Sequence, residues 1–259
     1  MKKIMTVFIA FLLSYCSWSQ KKTSTREYYN LTVYHYKEAR QEIELDKYLS
    51  MALLPALHRQ NIKNVGVFKP LANDTAKDKI IYVHYPIASP AQVVSIGEQL
   101  LKDGIYQKES IAYTMATHDK APYYRMETIL LYAFRLAPQM KRPNLNGLRT
   151  ENIYELRSYE SPTEKYYRNK VEMFNEGGEI TLFERLGFNA VFYADVISGS
   201  RMPNLMYITC FDNMAAREAH WKNFVESPEW KKLISDPYYE KNVNKADIIL
   251  MKAASYSDY

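Results

Sequence analysis

Glycine is scarce in this chain, at 8 of 259 residues. None of the eight is arranged as G-x-G-x-x-G or G-x-x-x-x-G-K, which excludes the usual glycine loops that cradle nucleotide phosphates. Histidine is equally sparse. His35, His58, His84, His118 and His220 are dispersed, with no pair at helical metal-binding spacing and no cysteine cluster beside them. There is no G-x-S-x-G elbow to carry a nucleophilic serine. Charge of one sign is also lacking. The net charge is +5, with basic residues scattered among acids, so no nucleic-acid surface is expected. After the first twenty residues no run approaches the ~20 apolar residues of a membrane span.

The first twenty residues read as an address. Lys2 and Lys3 form a basic start, Ile4 to Tyr15 is almost wholly apolar, and Ser17 and Ser19 are small. This pattern predicts a signal peptide over residues 1–19, and hence an exported chain, periplasmic or secreted. Cys16 opens a lipoprotein alternative, although the bulky Tyr15 precedes it. The mature chain would keep one cysteine, Cys210, in the apolar run Leu205–Phe211. A single thiol closes no internal disulfide, so the core must hold the fold alone. Cys210 reads as a small buried hydrophobe.

What is present in quantity is tyrosine, 23 residues. It suits half-buried strands and pockets, because the ring is apolar and the hydroxyl polar. Residues 28–36 alternate as a strand, and Leu45, Tyr48, Leu49, Ala52, Leu53, Ala56 and Leu57 mark a helix face bent at Pro55. Strands follow at 64–71 and 80–87. Ser89-Pro90 opens a helix through Leu101, and a strand at 126–134 closes the unit. The order β-α-β-β-α-β is that of a ferredoxin-like unit, placed at residues 27–137.

Residues 138–150 read as a linker, with Pro138, Pro143 and Gly147. The order then repeats over residues 151–259. A strand at 153–159 leads to a helix opened by Ser161-Pro162 and broken at Gly177-Gly178. Strands at 189–197 and 205–211, a helix capped by Asp212-Asn213, and a strand at 246–253 complete it. Tyr36 aligns with Tyr159, Val67-Phe68 with Val191-Phe192, and Tyr82 with Tyr207, at offsets of 123, 124 and 125. The expected fold class is α+β, with tandem ferredoxin-like units in one chain.

Tyr154-Glu155-Leu156-Arg157-Ser158-Tyr159, Arg217 to Phe224 and Ser227-Pro228-Glu229-Trp230 together carry a family signature. On these residues the second half, from about Asn152, resembles the NIPSNAP family. The first half looks like a degenerate copy, with Tyr34 where the second has Arg157. The resemblance implies a dimeric α+β barrel, in which ferredoxin-like units pair sheet against sheet. Here the two units of one chain could pair, or each could find its mate in a homodimer.

Strand alternation supplies the candidate site. Assigning Val33, Leu156, Ile81, Val83, Met206 and Ile208 to the helix side leaves Tyr34, Glu155, Arg157, Tyr159, Tyr82, His84 and Tyr207 between the sheets. These seven are the candidate ligand-binding residues. The competing reading makes Arg157 and Glu155 an ion pair inside a filled barrel, with the tyrosines as packing. No catalytic residue, metal or cofactor is expected. Two function classes remain. One is a non-catalytic binding or interaction protein of the cell envelope, with a small molecule or a protein as partner. The other is a small barrel enzyme, haem-dependent or a cofactor-free oxygenase, using His84 or Arg157.

Overall fold

The computed structural model describes residues 25–259. The expected signal peptide and Cys16 lie outside the described residues. Eight antiparallel strands close one barrel. In chain order they are β1 (Tyr28–Tyr36), β2 (Gly66–Pro70), β3 (Lys79–Ile87), β4 (Arg125–Ala133), β5 (Ile153–Glu160), β6 (Asn189–Ser198), β7 (Asn204–Phe211) and β8 (Lys245–Ala253). Round the wall the order is β1-β3-β2-β8-β5-β7-β6-β4. Each half contributes a four-stranded sheet. The two sheets join edge to edge through β2 with β8 and β4 with β6, so no strand edge is left open.

Helices cover the outside. In the first half α1 (Ala39–Tyr48) passes through a single π-turn into α2 (Leu54–Arg59), so Pro55 sits in a first turn, where its missing N–H costs nothing. The helix expected from Ser89-Pro90 is α3 (Gln92–Leu100), which begins two residues later. Two short helices, α4 (Gly104–Glu109) and α5 (Ile111–Thr114), carry no clear period and are additions to the sequence reading. In the second half α6 (Glu164–Asn175) ends where expected. Gly178, at φ +86°, turns the chain into α7 (Glu179–Arg185). Asn213 caps α8 (Met214–Glu226) by accepting from the Ala216 amide at 2.9 Å. Ser227 then caps α9 (Pro228–Ile234).

Three apolar layers result. One fills the barrel, with Tyr29, Leu31, Val33, Phe68, Leu156, Phe192, Met206 and Ile208 among its members. The other two lie between each half of the wall and its helices, and they hold Tyr34, Leu45, Tyr48 and Val83 on one side and Tyr159, Phe174, Phe183 and Tyr207 on the other. The wall is therefore buried on both faces.

That double burial corrects the face assignments. Val33 and Leu156 point into the barrel, as do Met206 and Ile208, while Tyr34, Glu155, Arg157, Tyr159 and Tyr207 lie under the helices. Aliphatic side chains suit the helix side, but the barrel interior is just as apolar. On β3 the assignment stands, with Ile81 and Val83 under the helices and Tyr82 inside. The alignment of Tyr82 with Tyr207 is one residue out. Val33 pairs with Tyr82 and Leu156 with Ile208, so Tyr82 matches Ile208 at an offset of 208 − 82 = 126. A one-residue slip moves every side chain of a strand to the other face.

Candidate functional site

One end of the barrel is sealed. Tyr259 inserts its ring beside Phe68 and Tyr154, and its hydroxyl lies 3.0 Å from His84 Nδ1. His84 stacks on Phe192 at 4.5 Å, fully buried, and burial holds its imidazole down at about 3. Met140 and Leu145, from the connecting segment, pack against the same cluster.

The other end is open. A cavity of about 660 Å³ enters there. Its floor is apolar, built from inward residues of six strands: Val33, Ile80, Ile129, Leu156, Val196 and Met206. An eight-stranded barrel has room for one small ligand when side chains do not fill it. Tyr82 stands on the wall, and burial raises its phenol well above the ordinary range.

The rim is polar. His35, last of the inward residues on β1, is 5% exposed. Its Nδ1 lies 3.1 Å from both carboxylate oxygens of Asp78, and Tyr124 donates to Asp78 at 2.5 Å. Asp78 thus takes one side of the imidazole, with the Arg125 guanidinium 3.4 Å from the same nitrogen. Glu127 comes within 3.4 Å of Nε2 but is too poorly aligned for a hydrogen bond. Arg125 meets Glu127 at 3.3 Å, and Arg201 pairs with Asp247. Deeper on β7, Asn204 is fully buried and donates its amide to Ser158 Oγ at 2.8 Å, which leaves Oδ1 unpartnered.

Of the seven residues expected to line a site, Tyr82 alone faces this cavity. His84 is inside the barrel but sealed behind Tyr259. Glu155, Arg157, Tyr159 and Tyr207 form a separate network beneath α8. Glu155, without exposure, accepts from Arg157 at 2.5 Å, from Arg217 at 2.7 Å and from the Trp221 indole at 2.9 Å. Arg157 lies 3.6 Å over the Trp221 ring and donates to Tyr159, whose hydroxyl is 3.0 Å from that of Tyr207. Every oxygen of Glu155 is engaged, as a buried charge requires. The Arg157–Glu155 pair thus exists, but between sheet and helix rather than inside the barrel. Tyr34 occupies the matching place in the first half, among Tyr113, Tyr123 and Tyr48. His35, Asp78, Glu127 and Asn204 were missed. Placing Val33 on the helix side puts His35 there too, since it follows Val33 by two on one strand face.

The family model described as NIPSNAP matches residues 154–258. The match falls within the second unit, which is similar to a NIPSNAP domain. That unit supplies β5 to β8 and so half of the barrel wall, including Leu156, Ser158 and Asn204. Similarity in fold reaches further than the NIPSNAP match. A candidate monooxygenase from Lactobacillus acidophilus superposes with a TM-score of 0.57 at 9% identity, covering 88% of this chain and 94% of its own. A second, from Fusobacterium nucleatum, gives 0.54 at 8% identity over 89% and 93%. An anthrone oxidase-like protein gives 0.50 at 8% over 90% and 93%. No curated protein matches the chain in sequence. At these identities the likeness is one of fold: a dimeric α+β barrel with both units in one chain.

Proposed function

We propose that this is an exported, non-catalytic binding protein of the cell envelope, and that its barrel mouth holds a small, largely apolar molecule. The observation that carries this reading is the cavity of about 660 Å³, with its apolar floor and its rim of polar groups. A concave, mostly apolar pocket with a few convergent polar groups is the ordinary form of a small-molecule site. Export rests on the basic and apolar pattern of residues 1–19. The test is binding of an environment-sensitive apolar fluorophore to the purified protein. A saturable signal lost on Leu156→Arg, which places a charge on the cavity floor, supports the reading. An unchanged signal in that variant removes it.

The alternative is a barrel enzyme. It is favoured by the His35–Asp78 pair, in which a carboxylate orients an imidazole at the rim of the cavity. The monooxygenase names attached to two proteins of similar fold point the same way. No cofactor belongs to the binding reading. A Soret band in the purified protein would replace that reading with the haem-dependent one.

A further inference from the structure

Resting on the reading of the mouth as a ligand site, we infer that the Tyr82 hydroxyl is its polar anchor, and that the ligand carries a neutral acceptor, a ketone, ester or amide carbonyl, on an apolar body. Ile80, Tyr82 and His84 succeed one another along the inner face of β3. Ile80 lines the mouth, and His84 belongs to the sealed end. Tyr82 therefore stands at the inner limit of the cavity. It pairs with Val33 of the floor on one side and, on the other, with Phe68, which packs on Tyr259. Among the described residues no hydrogen bond holds its hydroxyl. The hydroxyls of Tyr29 and Tyr193 also lack partners, but they are sealed away. Tyr82 is 7% exposed and lines the cavity. A buried tyrosine hydroxyl usually finds a partner, and here the cavity is where one can come from.

Ser158 and Asn204, also on the lining, are engaged with each other: Asn204, without exposure, donates to Ser158 at 2.8 Å. Arg201, Asp247, Glu127 and Asp78 of the rim all lie close enough to act on the Tyr82 phenol, so its hydroxyl looks towards the mouth rather than the seal. Burial keeps that phenol protonated. The ring draws electron density from the oxygen, so a phenol donates a stronger hydrogen bond than it accepts, and a ligand acceptor is its complement. The lining holds three carboxylates, Asp78, Glu127 and Asp247, against two guanidinium groups, Arg125 and Arg201. A neutral acceptor therefore suits the mouth better than an anionic one.

Three naphthalene probes of nearly one shape separate the cases by calorimetry: 2-acetylnaphthalene with a neutral acceptor, 2-isopropylnaphthalene without one, and 2-naphthoate with an anion. The ketone should bind about fivefold more tightly than the isopropyl compound, as one hydrogen bond allows. Tyr82→Phe, which keeps the ring and removes the hydroxyl, should abolish that preference. Should this variant not fold, the carbonyl stretch of the ketone bound to the unaltered protein gives a second reading. A hydrogen-bonded carbonyl absorbs at lower frequency than one in alkane, and an alkane-like stretch would overturn the inference. Equal binding of ketone and isopropyl compound would overturn it while leaving the mouth a ligand site. A preference that survives in Tyr82→Phe would overturn it by placing the anchor elsewhere. Tighter binding of naphthoate than of the ketone would overturn the neutral polarity. Binding of none of the three would remove the ligand site itself and the inference with it.

Discussion

The two halves of the wall solve one packing problem with different chemistry. Each must bury the outward face of its first strand beneath helices. In the second half that face presents Glu155, Arg157 and Tyr159, and the helices answer with Arg217 and Trp221. In the first half the position of Arg157 is held by Tyr34, and the helices answer with rings. Tyr48 and Tyr113 stack at 3.6 Å, and Tyr48 meets Tyr106 hydroxyl to hydroxyl at 3.0 Å. A backbone plan therefore does not dictate whether its sheet–helix layer is ionic or aromatic. What both share is that most buried polar atoms find a partner, the Tyr193 hydroxyl of the second half being an exception.

The sharpest way to break the comparison is to exchange the equivalent residues. Tyr34→Arg places a guanidinium among tyrosines, and an uncompensated buried charge should cost on the order of 5 kcal/mol, read as a fall in the denaturation midpoint. A stable variant would show that the first half already holds a hidden counter-charge. Glu155→Gln attacks the other half. It leaves Arg157 and Arg217 without their anion, and about 3 kcal/mol should be lost, measured in the same titration. A change below 1 kcal/mol would mean that the network is no more than packing.

Acid should act through the interior that both halves share. His84 of the first half lies against Phe192 of the second and is neutral in the folded chain, with its imidazole near 3 against 6.5 when free. Because the unfolded chain takes up that proton first, the stability contributed by neutral His84 is complete above pH 6.5. It is lost as pH falls from 6.5 towards 3. By pH 5 the loss should be about 2 kcal/mol, and His84→Phe should flatten that part of the profile. An identical slope in the variant would assign the acid sensitivity elsewhere. The smallest effect belongs to Tyr48→Phe, which removes one hydroxyl contact and keeps the stack. About 1 kcal/mol is expected by denaturation. A loss as large as that of Glu155→Gln would make the first half as dependent on polar contacts as the second.

The order of the strands was legible throughout. The strand at 28–36, the cap at Asn213 and the break at Gly177-Gly178 depend on local pattern, and the structure keeps them. The short helices α4 and α5 were not legible, because segments of six and four residues are too short to show a period. Nor were the strand faces. Alternation tells two faces apart but does not label them, and here neither face is wet. Val33 and Tyr34 are 4% and 3% exposed, so burial alone could not say which looks inward.

By itself, then, the sequence determined the repeated β-α-β-β-α-β order, the NIPSNAP signature of the second half and the pairing of Arg157 with Glu155. These follow from neighbours in the chain, where periodicity and two-residue spacing act directly. Tertiary structure alone decided that the sheets join at their edges into one barrel, that Tyr259 closes one end, and that His35 and Asn204 meet at the other. Those two residues are 169 positions apart, since 204 − 35 = 169. Only barrel closure, which joins β4 to β6, brings their strands round the same opening.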